Sequence, residues 1–194
     1  RNETENFDEE ELIEKIANER TFLISDLVGS GKTETLKELT RKFKIKYPNF
    51  WITFLTLKNN KSDYQEVKYA DPNFKIKDFM SKIILKLDPE KNFLENWFFN
   101  FFYEQKRVIF LFDGFDEINP DCKHQVLTIF TLLRKGEQVK IGVTSRQHLE
   151  VELKQKMKTE PFKIIPFDKN QQVDFLLKSW DDVDNEDEIY AKYL

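Results

Sequence analysis

Five short runs rich in β-branched and aromatic residues punctuate this chain, at Thr21 to Ser25, Trp51 to Leu57, Val108 to Phe112, Lys140 to Thr144 and Phe162 to Ile165. Helical periods fill the intervals. Leu36, Leu39 and Phe43 fall at i, i+3, i+7; Ile76, Phe79, Met80, Ile83, Ile84 and Leu87 follow the same period, as do Val126, Ile129, Phe130 and Leu133. Strands joined through helices run parallel, because a parallel pair needs a long crossover that a helix supplies. The expected fold is therefore α/β in three layers, α/β/α, with the wholly apolar run Val108 to Phe112 as a central strand buried on both faces.

Composition closes off other classes. A chain of 194 residues with 19 Phe, 3 Trp and 6 Tyr but only 5 Gly and 6 Pro is neither low-complexity nor disordered. One cysteine, Cys122, cannot form a disulfide within the chain, and with two histidines it leaves too few soft ligands for zinc. No apolar run has membrane-spanning length, and the first apolar cluster, Leu12, Ile13 and Ile16, follows acids rather than a basic leader segment. A cytoplasmic location without a membrane partner is expected. The chain starts at Arg1 and stops in a helical pattern, so it reads as part of a longer protein. Residues 1 to 11 hold six acids against Arg1, and residues 181 to 194 hold six against Lys192, leaving 29 basic against 23 acidic side chains between them. That mild surplus suits a small anion and argues against nucleic acid as a partner.

Three segments carry chemistry. In the first, the apolar run Phe22 to Ser25 leads through Asp26, Leu27, Val28, Gly29, Ser30 and Gly31 to Lys32, Thr33 and Glu34 at the start of an amphipathic helix. Strand, glycine loop and helix N-terminus together make a phosphate cradle of backbone N–H groups. Lys32 is expected to reach β- and γ-phosphates and Thr33 to ligate Mg²⁺. Asp26 stands where the strict pattern has glycine, and a carboxylate close to phosphates is expected to weaken binding. In the second segment, Val108 to Phe112 delivers Asp113 to the carboxyl end of a central strand, where it suits Mg²⁺. Gly114 follows, and Asp116 and Glu117 are placed to polarise an attacking water as general base. In the third, Lys140 to Thr144 ends in Ser145 and Arg146, a cation able to sense the γ-phosphate.

Taken with Phe162 to Phe167, these segments resemble the NACHT domain of STAND-class P-loop NTPases over roughly residues 20 to 180; the Asp113-Gly114-Phe115-Asp116-Glu117 run is the most discriminating part. The resemblance implies a five-stranded parallel sheet ordered 5-1-4-3-2, with the strand of Thr144 and Arg146 between the two motif strands. It divides the chain into an acidic lead-in (1–19), a nucleotide-binding domain (20–167) and the start of a helical subdomain (168–194). It also implies slow Mg²⁺-dependent ATP hydrolysis, with GTP admitted, and a nucleotide-controlled oligomerising switch in innate-immune or cell-death-like signalling. Self-association through this domain and flanking effector and repeat domains belong to the same expectation. The alternative is a catalytically weak scaffold of the same fold that acts by protein interaction.

Other signals carry less. Asn60-Lys61-Ser62-Asp63 matches a guanine-reading motif but precedes the Asp113 strand, which favours ATP. The aromatic stretch Phe93 to Tyr103 has the spacing of a core helix rather than a base-stacking platform, with Phe99 and Tyr103 left as candidate interface residues. His124 and His148 have no partners in the pattern and are expected at the surface or at caps.

Overall fold

The computed structural model describes residues 9–59, 64, 74–166 and 168–174. The Asn60–Asp63 motif and the acids before Glu9 lie outside them, as do Asp71-Pro72, which the sequence marks as a turn, and Leu176, Leu177 and Trp180, whose spacing marks the expected helical subdomain. The chain divides into two compact units, Arg1–Ile164 and Ile165–Leu194.

The first unit is built on five parallel strands: β1 (Thr21–Asp26), β2 (Trp51–Thr56), β3 (Val108–Asp113), β4 (Val139–Arg146) and β5 (Pro161–Phe162). Their order, β2-β3-β4-β1-β5, is the expected 5-1-4-3-2 read from the other edge. Along β1 and β3 every residue is buried, so alternate side chains feed two separate cores. Phe22, Ile24, Ile109 and Leu111 pack with Leu36, Leu39 and Phe43 of α2 (Lys32–Lys46) and with Ile13 and Ile16 of α1 (Glu9–Asn18). On the opposite face Leu23, Phe110, Phe112, Ile141 and Val143 meet residues of α3 (Ile76–Phe79), α4 (Phe93–Glu104), α5 (Lys123–Gly136) and α6 (Glu150–Met157). These are the three layers.

Three local features depart from the sequence pattern or go beyond it. The period from Ile76 does not continue as one α-helix; after Phe79 the chain widens into a π-turn over Met80–Ile84, with Leu85 N–H donating to Met80 O at 2.9 Å. The wider turn lets Met80, Ser81 and Ile84 all face inward, and Lys86 then ends it with φ of 54°. In α4 the phase is the reverse of the expected one. Phe99 and Tyr103, the candidate interface residues, lie in the core, while Phe93, Leu94, Trp97, Phe98 and Phe101 face outward. Position in the period sets the spacing of a buried stripe, but the sheet decides which stripe it takes, and here Trp51 of β2 and Phe110 of β3 hold Phe99 between them, at ring-centroid separations of 5.8 and 6.4 Å. Finally, Gly142 in β4 faces the Phe22 ring so closely that a Cβ would lie 2.1 Å from it, so this glycine is required by packing between β1 and β4.

In the second unit, 169–174 forms a helical turn opened by a reciprocal cap. Gln171 N–H donates to Asp168 Oδ1, and Asp168 N–H donates to Gln171 Oε1, each at 2.9 Å.

Candidate functional site

The carboxyl ends of β1, β3 and β4 open onto a cleft of about 310 Å³. Gly29 and Gly31 line it with φ of 77° and 84°, and no atom lies within 4 Å of where a Cβ would stand on either. The left-handed conformation needs glycine there, and the bare backbone leaves a concavity. Gly31 is the N-cap of α2 and supplies no side-chain cap, so the first N–H groups of that helix have no side-chain acceptor. An uncapped helix N-terminus behind a glycine loop attracts anions.

Around this loop the site residues take defined positions. Thr33 Oγ1 donates to Asp113 Oδ2 at 2.9 Å, and Thr144 Oγ1 donates to Asp113 Oδ1 at 2.6 Å. The Thr144 hydroxyl also accepts from Gly114 N–H at 3.0 Å. Lys32 Nζ lies inside the loop, donating to Leu27 O, to Asp26 O at 3.3 Å and to Ser30 Oγ at 3.4 Å. Ser30 Oγ in turn donates to Leu27 O at 3.0 Å. Leu27 and Val28 form an exposed apolar loop tip. Glu34, in the first turn of α2, lines the cleft and also pairs with Lys37 at 2.7 Å.

Both acids of the Asp116-Glu117 pair are engaged by cations. Arg146 Nε meets Asp116 Oδ2 at 2.7 Å, with the Asp116 side chain nearly buried. Glu117 Oε2 lies 3.3 Å from Lys58 Nζ, which reaches it from the turn after β2. The structure thus gathers Lys32, Thr33, Asp113, Asp116, Glu117 and Arg146 around one cleft. Asp26, Leu27 and Ser30 are not among its lining residues.

Asp26 is turned to other partners. Its Oδ1 accepts Leu27 N–H at 2.7 Å, and its Oδ2 accepts Ile164 N–H at 2.9 Å, so the carboxylate ties the start of the loop to the chain after β5. This gives the aspartate a structural role at a position where the sequence pattern reads glycine.

Two residues of the site were not singled out from the sequence. Thr144 was legible as a polar residue at the inner end of an apolar strand, since a buried hydroxyl calls for a partner. Lys58 carried no such signal; a lysine after a strand is ordinary, and its meeting with Glu117 comes from the sheet order. His124 and His148 are exposed and lie outside the cleft lining. Among the described residues no cluster of three or more His, Cys, Asp or Glu could form an all-protein metal site, and no helix is long and apolar enough to cross a membrane.

Sheet order, glycine loop and helix N-terminus define the P-loop NTPase fold, and solved structures agree. This chain is similar in fold to Caenorhabditis elegans PCH-2 (TM-score 0.53, 19% identity, 89% of this chain and 44% of that one). It is also similar to the Aeropyrum pernix ORC1 protein, solved in complex with DNA (0.55, 13%, 88% and 47%), and to AMPPCP-bound DnaA from Aquifex aeolicus (0.50, 15%, 91% and 52%). The chain spans about half the length of these structures, and at such identities the likeness is one of fold. No protein-family model and no curated protein sequence matches it.

Proposed function

We propose that this chain is an ATP-binding regulatory module of the NACHT type, which hydrolyses ATP slowly with Mg²⁺ and switches between assembly states in intracellular signalling. The hydrogen-bonded series Thr33–Asp113–Thr144 carries the reading, because it joins the loop hydroxyl to the strand carboxylate where a phosphate-bound cation belongs. The donor set suits Mg²⁺: a hydroxyl and a carboxylate are hard oxygen ligands, and this ion is ordinarily held by one or two carboxylates together with waters and substrate phosphates. Bound there, it would neutralise charge on the β- and γ-phosphates.

The chain's own residues do the rest. Backbone N–H groups of the Gly29–Gly31 loop hold phosphate oxygens, and Lys32 exchanges the loop carbonyls for them. Thr144 fixes one oxygen of Asp113 and so orients the other toward Thr33. Glu117, half exposed at the cleft wall, accepts a proton from the attacking water. Asp116 positions Arg146 until a γ-phosphate competes for the guanidinium, which distinguishes triphosphate from diphosphate. ATP is the preferred nucleotide in this reading, with GTP admitted.

Titration with ATP and Mg²⁺, paired with a phosphate-release assay, tests the proposal. Lys32→Ala should abolish binding, and Glu117→Gln should retain binding but stop release. Equal ATP affinity in wild type and Lys32→Ala would sink the nucleotide reading. Tight ATP binding with no release from the wild-type chain would favour the scaffold, and DNA-stimulated turnover would favour a nucleic-acid motor.

A further inference from the structure

Glu117 is held at three points, and one of them lies outside the phosphate site. Its main chain closes the 3₁₀ turn Phe115–Glu117, donating N–H to Gly114 O at 3.0 Å. Its side chain then runs across the bare face of Gly114, where a Cβ would stand 3.7 Å from Cβ, Cγ and Cδ of Glu117. The third point is the carboxylate, whose Oε2 lies 3.3 Å from Lys58 Nζ. Strand pairing brings that lysine within reach. Thr56 at the end of β2 is level with Asp113 at the end of β3, so the 3₁₀ turn Leu57–Asn59 rises beside Phe115–Glu117. Leu57 and Phe115, each 1% exposed, anchor the two turns in the same core. The two neighbours of β3 differ in what they bring. On one side lie β4 and then β1 with the phosphate loop; on the other lies β2. Lys58 therefore meets Glu117 from the side away from the phosphate loop, and it is not among the cleft-lining residues, whereas Glu117 is. A cation so placed acts on the carboxylate rather than on the triphosphate.

We infer that Lys58 is a positioning residue for hydrolysis, holding the Glu117 carboxylate at the cleft wall to meet the attacking water. The inference rests on the role proposed above for Glu117 as general base. A glutamate side chain has many rotamers and loses entropy when one is fixed, yet a general base works only within hydrogen-bond reach of the proton it takes. Packing against Gly114 fixes the stem, and Lys58 fixes the tip. The lysine engages Oε2, and a carboxylate has a second oxygen to accept the proton. Because Glu117 lines the cleft while paired in this way, the contact keeps the base at its place of work rather than withdrawing it. Asp116 is held by Arg146 from β4, and Glu117 by Lys58 from the opposite neighbour, so the two acids are oriented by separate cations.

Steady-state phosphate release by the full chain, with Mg²⁺ and a range of ATP concentrations, tests it. Lys58→Met keeps most of the stem and removes the charge. Its kcat should fall about two- to fivefold, the worth of an exposed ion pair. KM for ATP and the thermal midpoint should stay unchanged, because Lys58 is exposed and touches no part of the phosphate loop. Lys58→Arg should return kcat close to the wild-type value. Lys58→Glu, which sets two carboxylates against each other, should lower kcat at least as far as Lys58→Met. Phosphate release that Lys58→Met leaves unchanged would overturn the inference alone. So would a rise in kcat, because the lysine would then restrain the base, and so would a loss that Lys58→Arg does not restore. A wild-type chain that releases no phosphate would overturn the role of Glu117 as base, and this inference with it.

Discussion

Replacing Asp26 by glycine restores the strict phosphate-loop pattern, and the structure argues that the change harms the protein. Asp26 is 8% exposed, and its carboxylate accepts two backbone N–H groups, from Leu27 at 2.7 Å and Ile164 at 2.9 Å. Hydrogen bonds to a charged group contribute about 1.5–3 kcal/mol each. The cost of holding a carboxylate away from water offsets part of that gain. Glycine adds back about 1 kcal/mol of backbone entropy to the unfolded chain. The expected loss is about 2–4 kcal/mol, or a fall in melting temperature of about 5–15 °C for a chain of this size. Asp26→Asn keeps the volume and one acceptor but turns an NH₂ toward one of the two N–H donors, so it should lose about 1–3 kcal/mol. Thermal or urea unfolding measures stability, and ATP titration of the same samples measures affinity. A carboxylate acting on the phosphates predicts the opposite result: Asp26→Gly as stable as wild type, with ATP bound tenfold or more tighter. That outcome would refute the structural role.

Arg146→Ala should leave ADP affinity nearly unchanged and reduce the preference for ATP by about 10- to 100-fold, the worth of one charge-assisted contact; equal losses for both nucleotides would remove Arg146 from γ-phosphate sensing. Gly142→Ala should destabilise the fold by about 1–3 kcal/mol or prevent folding, since the added methyl meets the Phe22 ring and β1 cannot move away from β4; chemical denaturation reads this, and Gly142→Ala with Phe22→Leu should recover part of it. Lys140 donates to the carbonyls of Ala17 and Glu19 at the end of α1, and burial holds its ammonium below the usual lysine range. Between that lowered value and the ordinary one, the unfolded chain binds more protons than the folded one, so this group makes stability rise with pH. Lys140→Met should remove that rise, as seen by comparing urea midpoints of the two proteins across the alkaline range.

The strands were legible because a buried parallel strand leaves a short apolar run rich in β-branched and aromatic residues, with helical periods filling the intervals between runs. Four of the five runs coincide with a strand, with shifts of one or two residues at the ends, whereas the last, Phe162 to Ile165, shares only Phe162 with the two-residue strand Pro161–Phe162. The cleft residues were legible for a related reason: strand ends at the ligand side of a parallel sheet carry polar groups out of apolar runs, as Asp113 does after Phe112. What the sequence withheld were pairings that depend on which elements become neighbours. Lys58 and Glu117 are far apart in the chain, and only the adjacency of β2 and β3 brings them together. The role of Asp26 was hidden likewise, because its second partner, Ile164, is a backbone N–H 138 positions away. The phase of α4 was withheld because both of its faces are apolar, so periodicity fits the inner and outer stripes equally well.

Register explains why so few polar residues suffice to build the site. Side chains alternate between the faces of a strand, and Phe22, Ile24, Ile109 and Leu111 define the face covered by α2. By the same alternation Asp113 lies on that face, where Thr33 at the start of α2 can reach it. In β4 the partner of Phe112 is Val143, which belongs to the opposite core, so Thr144 falls level with Asp113 on the α2 face. Arg146, two residues further along β4, keeps that face and passes beyond Asp113 to the level of Asp116. A slip of one residue between β3 and β4 would send Thr144 and Arg146 to the other side of the sheet together. The hydrogen bond that orients Asp113 and the ion pair that holds Arg146 therefore depend on a single structural quantity, the register of β4, which the close packing of Gly142 under Phe22 in turn fixes against β1.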